Sequence, residues 1–185
     1  MQTRSPFEEL IEEHVALATE VGDLQSAIRG LTQPGEVALG GGVMVRDSLE
    51  ILQRRLRAHF RREEEGAFPE AQRMVSEGAQ GADVFGRFFA AEAEDDMSAH
   101  ATLARRTAEM LEMASQLVEA DRPDEASARR LLALVNLHAS LFERHAAKED
   151  TLIFPMIEQS LTPAQLDQVR RERLDGIRQL WAAPQ

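Results

Sequence analysis

The chain has 185 residues, 43% of them hydrophobic, which is enough for one domain with a buried core. It contains no Cys and no Tyr, so disulfides, thiolate ligands, a cysteine nucleophile and tyrosyl chemistry are excluded. A net charge of −11 argues against general nucleic-acid or anionic-membrane binding, both of which need a basic footprint.

In chain order, Ser5-Pro6-Phe7-Glu8 reads as a helix start. Ser5 caps, Pro6 suits the first helical position and Glu8 completes a capping box. The inward pattern Phe7, Leu10, Ile11, His14, Leu17, Ala18, Val21, Leu24, Ile28 follows with helical period. Residues 30–42 ("GLTQPGEVALGGG") read as a connecting loop. A second helix carries the seam Val45, Leu49, Leu52, Leu56, His59, Glu63, in alternating steps of four and three. It weakens at Gly66 and stops or kinks near Pro69. Residues 70–82 form a short helical or irregular link. The third helix carries Phe89, Ala93, Asp96, His100, Leu103, Thr107, Met110, Ala114 and Leu117, and ends by Arg122-Pro123. The fourth carries Leu131, Leu134, His138, Leu141, His145, Glu149, Leu152 and Met156. Thr162-Pro163-Ala164-Gln165 is a second capping box, opening an amphipathic helix through about Trp181.

No segment alternates as a strand does. The expected fold is all-α, an up-down-up-down four-helix bundle over residues 1–160, with a C-terminal helix over 161–185 packed on the bundle or a dimer mate. "MQTRSPFEEL" shows no secretory signal, and no apolar run approaches the roughly 20 residues of a membrane span. A cytoplasmic protein without membrane or nucleic-acid partners is expected. Arg54, Arg55, Arg57, Arg61 and Arg62 form a local basic patch, read as a solvated helix face.

The histidines carry the main signal. His59 and His145 are 145 − 59 = 86 residues apart, and so are His14 and His100 (100 − 14). Within each half the two histidines are 45 apart (59 − 14 and 145 − 100). The chain is thus two copies of one helical hairpin. Each copy places a His on its first helix and His-x-x-x-Glu on its second. Residues four apart on a helix share a face, so four imidazoles and two carboxylates collect in one bundle. A buried carboxylate without compensation is costly, and a metal cation supplies the compensation. Six nitrogen and oxygen ligands without sulfur do not resemble a closed structural zinc site. Two carboxylates can bridge two ions, each with two His and open positions. That suits iron, with manganese or zinc possible on the same ligands.

The motifs "EEH" ending at His14, "HFRREEEGAFP" at 59–69, "DDMSAH" ending at His100 and "HAAKEDTLIFP" at 145–155 resemble the hemerythrin-like, or HHE cation-binding, family. The resemblance covers roughly residues 5–160. It implies a non-haem di-iron centre with an oxo or hydroxo bridge, His14 and His59 holding one iron, His100 and His145 the other, and Glu63 and Glu149 bridging. Relative to oxygen-carrying members, Asp96 stands where a fifth His is expected. Their second bridging acid falls one residue later, at Asp150. The internal repeat favours Glu149, because it matches Glu63. Asp96 is read as an oxygen ligand, an acceptor for a ligand imidazole, or a charged seam residue. His138 breaks the repeat, since its counterpart is Leu52, and a core hydrogen bond or a place in a channel is expected for it.

The resemblance implies a protein that binds, senses or reacts with dioxygen, nitric oxide or peroxide, with peroxidase- or catalase-like turnover possible. The alternative is an iron-homeostasis or regulatory module in which metal occupancy controls stability and partner binding. A third reading is a structural bundle with buried His–Glu pairs and no metal.

Overall fold

A computed structural model of the chain describes residues 5–32, 41–69, 72–73, 82–119 and 125–169, apart from the side chains of Pro6, residues 82–90, Ala93 and Asp96. Among the described residues the protein is all-helical, with no strand. Helix α1 spans Pro6–Leu31, α2 Gly41–Arg62, α3 Ala82–Glu119 and α4 Glu125–Lys148. The short helices α5 (Phe154–Ser160) and α6 (Pro163–Val169) follow. None is long and apolar enough to cross a membrane.

The predicted starts hold. The Phe7 N–H donates to Ser5 Oγ at 3.2 Å. At α6 the capping box is reciprocal: the Gln165 N–H donates to Thr162 Oγ1 at 3.4 Å, and the Thr162 N–H donates to Gln165 Oε1 at 2.9 Å. The C-terminal helix is described only to Val169, so the predicted turns as far as Trp181 lie outside the described residues. The predicted loop 30–42 is trimmed by helix at both ends, at Leu31 and Gly41.

Two π-helical turns interrupt the regular pattern, Glu63–Ala67 after α2 and Glu149–Ile153 after α4. They are themselves 86 residues apart, like the histidines. Each is closed by a bond from a phenylalanine to the carbonyl five residues back, Phe68 N–H to Glu63 and Phe154 N–H to Glu149. Each phenylalanine precedes a proline, Pro69 or Pro155. Proline has no N–H, and its ring clashes with the carbonyl four residues earlier. A widened π turn avoids that clash while the chain continues as helix, as the stretch from Phe154 shows. The expected kink near Pro69 is therefore a π turn, and its twin precedes Pro155.

The chain forms two compact units. Met1–His14, Arg57–His100 and His145–Gln185 make one, and Val15–Leu56 and Ala101–Arg144 make the other. In the first, Phe7, Leu10, Phe68, Ile153, Phe154, Ile157 and Leu161 form an apolar cluster that Val169 of α6 joins. Phe7 stacks on Phe154 with centroids 4.9 Å apart. In the second, Leu17, Val21, Leu24 and Ile28 of α1 are buried, as are Val45, Leu49, Leu52 and Leu56 of α2. Leu103, Thr107, Met110, Ala114 and Leu117 of α3 are buried there too. The α4 seam differs from expectation. Val135 and Phe142 are buried, whereas Leu134 and Leu141 are half-buried. Past the π turn Ile153 is buried and Leu152 is 38% exposed, because the extra residue in that turn shifts the inward phase by one. Ala18, also expected inside, is exposed.

Candidate metal centre

All six predicted ligands lie in the first unit, and all six are buried. They form two groups of donor atoms, each within 4.8 Å: His14, His59, Glu63, Glu149, and Glu63, His100, His145, Glu149. Both glutamates belong to both groups. The paired rings sit edge to face, His14 with His59 and His100 with His145, each at 4.6 Å between centroids.

The Nε2 atoms converge on the carboxylates. Glu63 Oε1 lies 3.1 Å from His59 Nε2 and 3.8 Å from His14 Nε2, while Glu63 Oε2 lies 3.3 Å from His100 Nε2. One oxygen therefore faces each group. Glu149 Oε2 lies 3.0 Å from His14 Nε2 and 3.3 Å from His145 Nε2. His100 and His145 bring their Nε2 atoms within 3.2 Å of each other.

The outer nitrogens explain why these atoms need a cation. His14 Nδ1 is 2.8 Å from Asp150 Oδ1, His59 Nδ1 is 2.9 Å from Glu13 Oε2, and His100 Nδ1 is 2.8 Å from Glu64 Oε1. An ionised carboxylate only accepts, so each Nδ1 carries the proton. In a neutral ring that leaves Nε2 as a lone pair aimed inward, at carboxylate oxygens that are also acceptors. Burial opposes the alternative of a doubly protonated ring. At His14 it lowers the pKa, outweighing the pull of Asp150, and the neighbouring His59 adds to the lowering. Burial pushes the Glu63 carboxyl up, but His59 and His100 more than offset this and hold it well below the usual range. His59 Nε2 and both Glu63 oxygens are buried without an aligned hydrogen bond. The donor set is nitrogen and oxygen only, surrounded by acceptors with no donor to spare. It fits a metal ion.

Asp150 does not join either group; it sits beside His14 on the side away from the convergent Nε2 atoms. Its counterpart 86 residues earlier is Glu64, which meets His100 in the same way. The first-helix histidine of each copy is thus oriented by an acid from the second helix of the other copy. Asp96 lies on α3, but its side chain is outside the described residues. His138 belongs to the second unit. It is buried, and the hydrogen bond expected for it is not found among the described residues.

Three residues here were not picked out from the sequence as part of a site: Glu13, Glu64 and Arg62. Arg62 corrects the reading of a solvated basic patch. It is buried, with Nη1 paired to Glu13 and Nη2 3.2 Å from Glu9 Oε2. The two acids of α1 face it, and that pairing permits burial. Arg61 keeps the expected solvated role, paired with Glu65. Two phenylalanines wall the site. Phe154 lies parallel to His14 at 6.0 Å, and Phe60 stacks on His100 at 4.0 Å.

No family model matches this chain, and no curated protein matches it. The geometry yields a direct test. His59→Ala removes a donor from the first group only, and His145→Ala from the second only. Each is expected to lower metal content by about half, with His138→Ala leaving it unchanged, as measured by elemental analysis after metal loading.

Proposed function

We propose that this is a hemerythrin-like protein, an up-down-up-down four-helix bundle whose buried centre holds two non-haem iron ions and meets a small oxidant: dioxygen, nitric oxide or peroxide. The observation that carries the reading is the pair of buried His₂Glu₂ groups sharing both glutamates. His14 and His59 serve one ion, His100 and His145 the other, and Glu63 and Glu149 both. Manganese or zinc suits the same donors. When bound, two redox-active ions supply electrons to, or take them from, a small molecule reaching them.

The protein's own contribution is binding, orientation and exclusion of water. Asp150, Glu13 and Glu64 fix the tautomers of three imidazoles, so that Nε2 is presented inward. Phe60 and Phe154, both buried, close two sides against solvent. The donors supply four imidazoles and two carboxylates for two ions. That leaves coordination positions for a small molecule and none for a bulky one. The test is metal content with optical spectra of the iron-loaded protein, before and after exposure to oxygen and to peroxide. Two irons per chain and a spectrum that responds to either oxidant are expected. Iron-loaded protein that retains no metal would overturn the reading.

A further inference from the structure

The two metal positions are not supported alike, and the difference lies outside the ligands. Both first-helix histidines have matched acids at 2.8 Å, Asp150 for His14 and Glu64 for His100. The second-helix histidines do not follow the repeat. His59 Nδ1 meets Glu13, which is itself buried, and Glu13 Oε1 accepts from the buried Arg62. The position 86 residues after Glu13 is Ala99, which has no carboxylate to offer His145. The position matching Arg62 is Lys148, and that matching Glu9 is Asp95. Lys148 is spent on acids nearer the surface, Asp95 at 2.8 Å and Glu92 at 2.7 Å. The cation of one copy serves a histidine through a buried carboxylate, and the cation of the other does not.

We propose that Glu13, clamped by Arg62, is a positioning residue for His59, and that it makes the His14/His59 position the tighter of two inequivalent metal positions. Glu13 accepts from Nδ1–H, which fixes the ring's tautomer and aims Nε2 at Glu63. Its negative charge raises the basicity of that Nε2. Arg62 holds Glu13 ionised and in place through a charge-assisted contact in a buried setting. Loss of such a support costs about 10–100-fold in metal affinity. This rests on the metal reading given above.

The experiment titrates metal-free full-length protein with Co(II), following its visible absorption, and records the ring-nitrogen chemical shifts of His59 without metal. The parent is expected to bind in two resolved steps, with His59 in the Nδ1–H form. Glu13→Ala strands the Arg62 charge and risks misfolding, so the double substitution Glu13→Ala/Arg62→Met is made beside it. It should weaken one step by about 10–100-fold, leave the other unchanged and release the His59 tautomer. A general loosening of the fold would weaken both steps equally and would overturn the proposal. So would two equal steps in the parent, with the metal reading left intact. A parent that binds no Co(II) would overturn the metal reading and this proposal with it.

Discussion

Replacing His138 by leucine is expected to stabilise the metal-free protein by about 1–3 kcal/mol near neutral pH, and by more in acid. His138 is fully buried, and neither ring nitrogen has a hydrogen-bond partner among the described residues. A polar group buried that way costs about 1–3 kcal/mol. Its counterpart in the first copy is Leu52, which is also buried, so the hairpin accommodates leucine at this register. The acid dependence follows from the ring's proton affinity. Burial, helped by the charge of Arg106, lowers its pKa from 6.5 to about 4. In the unfolded chain the ring titrates near 6.5, so between those values the unfolded state takes up a proton that the folded state refuses. Stability from this group is therefore complete above pH 6.5, falls as the pH drops toward 4, and is level below that. A displacement of that size is worth about 3 kcal/mol. The leucine variant lacks the penalty, so its advantage should widen by about 3 kcal/mol from pH 7 to pH 4. Urea unfolding of both proteins at the two pH values measures this. An advantage that does not change with pH would mean the folded ring is already solvated.

The same residue shows what the sequence carries and what it hides. Spacing alone marked His138 as outside the repeat, but a hydrogen bond was expected because buried polar groups usually have one. The α2 seam was legible throughout, since Val45 to Glu63 offers one apolar or ligand residue per turn and nothing beside it competes. On α4 neighbouring apolar pairs compete, Leu134 with Val135 and Leu141 with Phe142, and periodicity does not choose between them. Packing chose the second of each pair. The prolines at 69 and 155 announced a disturbance, but the π turns need hydrogen-bond geometry that spacing does not encode. Leu152 was misplaced for that reason. Glu13, Glu64 and Arg62 sit one residue from a ligand, about 100° around the helix from the seam, where charge reads as surface. The available signal was the doubled acid, Glu63-Glu64 against Glu149-Asp150, in which one member turns inward and the next reaches the histidine of the other copy.

That sharing of acids sets the largest expected effect of metal removal. Glu63 offers one oxygen to each group, so Glu63→Ala should empty both positions, where His59→Ala empties one. Metal that binds only the folded state contributes about 2.7 kcal/mol per position at 100 times its dissociation constant. Two positions give about 5 kcal/mol. For a chain of this length each kcal/mol moves the melting temperature by about 2–4 °C. Chelation of loaded parent protein should therefore lower Tm by about 10–20 °C. The chelator response isolates the metal term from any other consequence of the substitution. Glu63→Ala also removes a buried anion from among four imidazoles, which changes the metal-free stability by itself, and that change is present with and without chelator. The Tm of Glu63→Ala should be the same in excess metal and in chelator, and that of His59→Ala should move by about half the parental shift. A Glu63→Ala protein that still melts higher with metal would show that the two groups do not depend on a common carboxylate.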